Sequence, residues 1–284
     1  LHGERKAMPS TYAHVRFGND VLRCLPQKQQ QQIEAYRELF DIGLHGPDLL
    51  FYYRPLTSDP VNRIGYAMHE QPASSFFIHA GDVWHKSGFQ DEYVAYIYGF
   101  LCHFALDREC HDYIDEKIAE SGAGHAHIEV SFDRSLLVAD GYDPVAKKLA
   151  EHIHPSKDRA EVISRFYADV TPEEIFRALR SMVFYNRLLC APGRGKRWII
   201  RTILRLSGHY REMNGLLVDE KPDPVCRDSD EILLKRYQAA IPKAAGLIRD
   251  FEESARGNLP YDPLYRYTFS SRLIEKAEEE QHEV

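Results

Sequence analysis

The sequence has no apolar run approaching the roughly 18 residues of a membrane-spanning helix. Its opening, Leu1 to Ala7, is too polar for a secretory signal, and Met8 followed by Pro9 is expected to be the natural start, with the first seven residues a remnant. Positive charge is not in excess: 36 Lys and Arg face 43 Asp and Glu, a formal net charge of -7, which excludes a chain built as a whole to capture nucleic acid. No Cys-x-x-Cys pair occurs, and the five cysteines, Cys24, Cys102, Cys110, Cys190 and Cys226, are an odd number, which argues against a secreted disulfide framework. Reduced thiols and a cytoplasmic location are expected. With 44% apolar and 28% charged residues the chain is neither disordered nor fibrous, and 284 residues suffice for a large core.

Alternating β patterns are scarce and no repeat recurs at a fixed period, so what remains is helical. Ile33, Tyr36, Leu39 and Phe40 follow Pro26 at helical spacing and stop before Gly43, with the Gln-rich stretch read as a solvated face. A Gly- and Pro-rich loop over 43–47 and another over 55–60 precede a helical stretch placed near Asn62 to Glu70. From Asp91 the apolar residues, Val94 to Leu106, go all round a helix, which predicts burial on every side. Thr171, Pro172 and Glu174 form a capping box ahead of Ile175, Phe176, Leu179, Met182 and Val183. Asp228 to Glu231 repeats the capping pattern, Pro242 predicts a kink or break, and a last helix is expected from about Ser270 into an acidic tail. The expectation is one all-α domain over 1–284, a metal-site region at 8–140 with a helical extension at 141–284 packed on it.

Histidine is what the chain has in abundance: 14, ten of them within the first 127 residues. His103, Asp107 and His111 stand at i, i+4 and i+8 in the buried helix, on one face. Burying such groups among Phe and Leu is unfavourable by several kcal/mol unless each is paired or ligates a metal. A rise of about 1.5 Å per residue puts His103 roughly 12 Å from His111, too far for both to hold one ion, so two ions are implied with Asp107 between them. His125 and Glu129, also four apart, would face one ion, with His127 pointing elsewhere. His14, Asp48 and His69 are further ligand-type residues, and a set of imidazoles and carboxylates without thiols suits zinc in a catalytic site.

These residues, taken in order, resemble the zinc-dependent phospholipase C family, which shares its all-helical fold and three-metal site with fungal single-strand nucleases. The resemblance rests on Tyr12-Ala13-His14, Gly46-Pro47-Asp48, Met68-His69, the segment from Gly99 through His103 and Asp107 to His111, and His125 to Glu129, and it spans about Met8 to Leu137. It implies a multi-helix phospholipase C/nuclease-like bundle and two or three zinc ions. One ion falls to Asp48, His69, His103 and Asp107, a second to His111, His125 and Glu129, and a third to His14, Asp107 and the backbone amine of the mature N-terminus. The N-terminal tryptophan of the secreted bacterial enzymes is missing here. The resemblance further implies a phosphodiesterase acting on a phospholipid or another small-molecule phosphoester, with Asp48 orienting or deprotonating the attacking water.

Two rival readings compete with this one. His111-Asp112 could belong to an HD-type phosphohydrolase, which would leave His103, Asp107, His125 and Glu129 without roles; mutating Asp112 separates the two. Alternatively the ions could only hold the helices together in a non-catalytic binding or regulatory module. Between Pro192 and Arg211 lies a basic stretch in which Arg197, Arg201 and Arg205 recur every four residues. It is read as a solvated helix face, with peripheral contact to an anionic membrane as the functional alternative. No nucleic acid is expected beyond a possible substrate. His2, His79, His85, His127, His152, His154, His209 and His282 are read as structural or surface residues.

Overall fold

The computed structural model describes residues 11–206 and 216–274, and all regular structure among them is helical, with isolated bridges but no strand. The fold is all-α, as expected. In chain order the α-helices are α1 (Tyr12–Leu22), α2 (Gln27–Ala35), α3 (Arg37–Gly43), α4 (Pro60–Glu70), α5 (Ser74–Lys86), α6 (Asp91–Ser121), α7 (His125–Ala139), α8 (Lys157–Ser164), α9 (Pro172–Leu189), α10 (Arg194–Leu206) and α11 (Arg227–Ala255). Short 3-10 helices occupy Gly46–Tyr52, Pro224–Cys226 and Pro263–Arg266.

Helix α6 is the axis of the arrangement because its sequence leaves no polar side between Val94 and Leu106, and the whole of that stretch is buried. Asp91 and Glu92 sit in its first turn, where the helix dipole favours them, and Gly122 ends it at φ 69°. Helices α1, α3 and α11 pack around it. The approach of α3 is backbone to backbone: a Cβ on Gly43 would stand 2.3 Å from the Tyr96 carbonyl oxygen, and one on Gly99 would stand 2.2 Å from that of Phe40. Only glycine at both positions permits this crossing, which brings the end of α3 and the following 3-10 turn against the middle of α6. Buried apolar residues from Ala13 to Phe269 form one contiguous cluster, and a small separate one, Ala191, Ile200, Leu204 and Leu217, lies under α10.

The capping box at Thr171 forms with both reciprocal bonds. Several local expectations are corrected. The apolar stretch after Pro26 is broken at Tyr36 into α2 and α3. The Gln-rich stretch is not wholly solvated: Gln29 and Gln32 are buried, and Gln32 donates to Asp91 while lying within reach of the Tyr98 hydroxyl. Helix α11 begins earlier than expected, with Cys226 at its N-cap position and no side-chain cap, so that Asp228 lies within the first turn and pairs with Lys117 at 2.7 Å. It runs on through Pro242 without ending. The segment after Ser270 is not helical up to Ile274; Tyr267 bridges Leu273, and Ser271 holds a left-handed φ of 62° in the turn between them. Residues 1–10, including Met8 and Pro9, 207–215 with His209, and 275–284 with His282 lie outside the described residues.

Candidate metal centre

Four elements converge on the buried face of α6. That helix presents His103, Asp107 and His111; α1 brings His14, the 3-10 turn after α3 brings Asp48, α4 brings His69, and α7 brings His125 and Glu129. Asp107 is the hub. Its Oδ2 lies 3.1 Å from His103 Nε2 and 3.8 Å from His69 Nε2, and its Oδ1 lies 3.3 Å from His14 Nε2 and 3.8 Å from His111 Nε2. Asp48 reaches His69 Nε2 at 3.0 Å and His103 Nε2 at 3.7 Å. Glu129 reaches His125 Nε2 at 3.2 Å and His111 Nε2 at 3.6 Å. Three groups of donors therefore form, each with its atoms within 4.8 Å of one another: Asp48, His69 and His103; His14, His103 and Asp107; His111, His125 and Glu129. All eight residues are buried except His125, which is intermediate.

The backbone sets the imidazole tautomers. His69 Nδ1 is 2.9 Å from the Gly65 carbonyl, His103 Nδ1 is 3.3 Å from that of Leu44, and His111 Nδ1 is 3.1 Å from that of Phe269. A carbonyl can only accept, so each Nδ1 carries the proton and each Nε2 turns a lone pair toward a carboxylate. This is the outer support that a ligating histidine ordinarily has. Gly46, at φ 49°, makes room for the His103 ring, since a Cβ there would stand 2.2 Å from His103 Cδ2. Inside the cluster, His14 Nδ1, Asp48 Oδ1 and His103 Nε2 are buried with no hydrogen-bond partner, although Asp48 Oδ1 lies close to His69.

The electrostatics point the same way. Burial disfavours the ionised form of Asp107, but the neighbouring His103 and His111 outweigh it and hold its pKa well below the usual carboxylate range. Glu129 is likewise lowered, against burial, by His125 and His111. Burial pulls the His14 and His69 pKa values down, yet Asp107 and Asp48 respectively more than offset it and raise them. In place of the protons that the raised His14 and His69 pKa values favour, a metal cation between the ring nitrogens and the ionised carboxylates would satisfy both. Imidazole and carboxylate without thiolate, supported from behind by carbonyls, fit zinc ions.

Other candidates lie elsewhere. Asp112 is exposed and bound to Arg236 at 2.7 Å, away from this cluster. His127 pairs with Asp223 at 2.9 Å, and His79, His85 and His154 are exposed. All five cysteines are free thiols. His45, on which the sequence offered no reading, is buried with its Nε2 2.8 Å from that of His152; burial and the neighbouring rings lower its pKa. Sequence reasoning also missed the three carbonyls and Asp133. The latter, buried on α7, accepts from the backbone N–H groups of Thr11, Tyr12 and Ala13 at 2.7 to 3.0 Å and so seats the first turn of α1, which carries His14.

An all-helical scaffold around a buried cluster of imidazoles and carboxylates defines a protein with a candidate metal site. The family model described as zinc dependent phospholipase C matches residues 13–180, more than half of the chain, and the chain belongs to that family. Zinc is the metal this membership implies. No curated protein and no solved structure matches the chain. Among the described residues, no helix is long and apolar enough to cross a membrane.

Proposed function

We propose that the chain is a zinc-dependent phosphodiester hydrolase acting on a phospholipid or a related phosphoester. The observation that carries this reading is the convergence of lone pairs: His69, His103 and His111 each spend Nδ1–H on a backbone carbonyl and turn Nε2 toward Asp48, Asp107 or Glu129. On this reading two or three ions are held by His14, Asp48, His69, His103, Asp107, His111, His125 and Glu129, with Asp107 shared. Zinc there would polarise phosphoryl oxygens and lower the pKa of a water molecule.

The chain's own groups do the rest. Asp48, buried with its Oδ1 3.0 Å from His69 Nε2, is the acceptor that orients the attacking water and takes its proton. The carbonyls of Leu44, Gly65 and Phe269 keep the rings from turning, so the site is organised before substrate arrives. The cluster is most open at His125, whose side chain is 20% exposed, so a phosphodiester would approach from the α7 edge. Asp112, exposed and paired with Arg236, lends no support to an HD-type mechanism.

The test is metal content per chain by elemental analysis, with hydrolysis of bis-p-nitrophenyl phosphate measured on the same sample before and after chelation. At least two zinc ions with chelator-sensitive turnover are expected. A single ion or none would overturn the reading; full occupancy without turnover on any phosphoester would leave a metal-stabilised binding module.

A further inference from the structure

Helix α10 lies beyond the family-matched residues and exposes more apolar surface than it buries. Only Ile200 and Leu204 reach the small cluster with Ala191 and Leu217. Trp198, Ile203 and Leu206 are between 58% and 84% exposed, and Ile199 is exposed too. At about 100° per residue, Trp198, Thr202, Leu206, Ile199 and Ile203 follow one another around an arc of roughly 140°. The arc does not stop at the helix edge. Lys196 donates to the Arg187 and Cys190 carbonyls at the end of α9, and it shares a groove with Phe184 and Leu188, both exposed, so that apolar surface continues onto α9.

Helix α10 and the end of α9 carry charge of one sign only, and Asp219, Glu220 and Asp223 meet it across the groove beside Trp198, Arg197 and Arg201. Between Glu174 and Glu212 the sequence carries nine Lys or Arg and no acid, within a chain whose net charge is -7. Arg180, Arg187, Arg194, Lys196 and Arg205 are exposed. The structure also redistributes the arginine row: Arg197 and Arg201 both bind Asp219, at 2.6 and 3.1 Å. They fasten the helix to the body, and the outward face is apolar with a cationic rim. A rim of this sign excludes an ordinary cationic partner and complements an anionic lipid surface. A helix with an apolar arc and a basic border also has the form of an interfacial helix, and Trp suits the headgroup level.

We propose that α10, with Phe184 and Leu188 of α9, docks on the surface of an anionic phospholipid bilayer, seating Trp198, Ile199, Ile203 and Leu206 among the headgroups and upper acyl chains. This goes beyond the hydrolytic reading and uses it only for the origin of the substrate; the binding measurement needs no turnover.

Trp198 is the reporter, because the other tryptophan, Trp84, is buried in the core. The full chain is mixed with vesicles of equimolar phosphatidylcholine and phosphatidylglycerol, and with vesicles of phosphatidylcholine alone. Expected with the anionic vesicles are a blue shift of the emission, quenching by brominated acyl chains, and co-sedimentation that weakens as salt rises. Trp198→Phe should remove the shift. The double variant Ile199→Asp, Ile203→Asp should bind at least about tenfold more weakly, with zinc content, circular dichroism and turnover of the soluble phosphodiester unchanged. Unchanged emission together with absence from the vesicle pellet would overturn the proposal. So would a self-associated species in light scattering whose formation shields Trp198 without lipid, which would make the face an interface between copies of this chain.

Discussion

Replacing Asp107 by Asn tests the centre at its hub. The substitution keeps the shape of the side chain and removes the charge that lies 3.1 to 3.8 Å from four imidazole nitrogens. Removing one partner from a buried ionic cluster destabilises a protein by about 3–5 kcal/mol. If zinc is present at about a thousand times its dissociation constant, the bound metal contributes about 4 kcal/mol that a chain unable to hold it forfeits. These terms overlap, since both express the same cation, so a total near 5 kcal/mol is expected, equivalent to a fall in Tm of about 10 °C for a chain of this size. The assay is a thermal melt with and without chelator, with zinc counted on the same samples. Chelator should lower the wild-type Tm by a similar amount and move D107N much less, because the variant has already lost metal. D107N carrying the wild-type zinc count and the same chelator response would refute the assignment of Asp107 as a shared ligand.

Two further substitutions test separate parts of the account. Burial pushes the Asp230 carboxyl up to about 6, and its Oδ1 is buried without a partner while Oδ2 accepts from Ser131. Because the folded pKa lies above the unfolded one, the stability tied to the proton is present below about pH 4 and lost as pH rises through 6. The full shift would amount to about 3 kcal/mol, which partial exposure and solvent screening reduce to about 1. Asp230→Asn should therefore raise the urea midpoint at pH 8 more than at pH 4, and an equal effect at both would contradict the sign. Gly46→Ala adds a side chain at φ 49° and 2.2 Å from the His103 ring; left-handed strain and overpacking together predict a loss of about 3 kcal/mol. G46A with wild-type zinc content and unfolding midpoint would show that the turn can yield.

Local periodicity explains which parts of the centre could be read in advance. His103, Asp107 and His111 lie on one helix, as do His125 and Glu129, and a helical repeat converts their spacing directly into a shared face. The family order then brought in His14, Asp48 and His69, which spacing alone could not connect to α6. The carbonyls of Leu44, Gly65 and Phe269 have no signature, because any residue carries a carbonyl and only the fold decides where it points. The burial of Gln32 escaped for a related reason: its amide finds partners on α6 and so tolerates the core, which composition cannot show. The cap at Asp228 failed because the short 3-10 turn Pro224–Cys226 leads straight into the helix at Arg227, which leaves Asp228 in the first turn, paired with Lys117. Up to Ile274, the last described residue, the helix expected after Ser270 is replaced by a turn that ties back to Arg108 and Thr268.

That turn has a consequence for how the protein comes into being. Phe269 packs its ring near His69, His103 and Phe104 and lends its carbonyl to His111, a partner 158 positions earlier in the chain. The first described helix supplies His14, which stacks on the same His103. Helix α1 and the segment after α11 thus meet over one imidazole, and closing a loop of this length removes roughly 5 kcal/mol of chain entropy in the simple polymer model. A ribosome releasing this polypeptide would have made every ligand long before the residue that secures His111. Completion of the candidate metal centre therefore waits on residue 269, and an ion held there would tie helix α1 to α6 beneath the segment that follows α11.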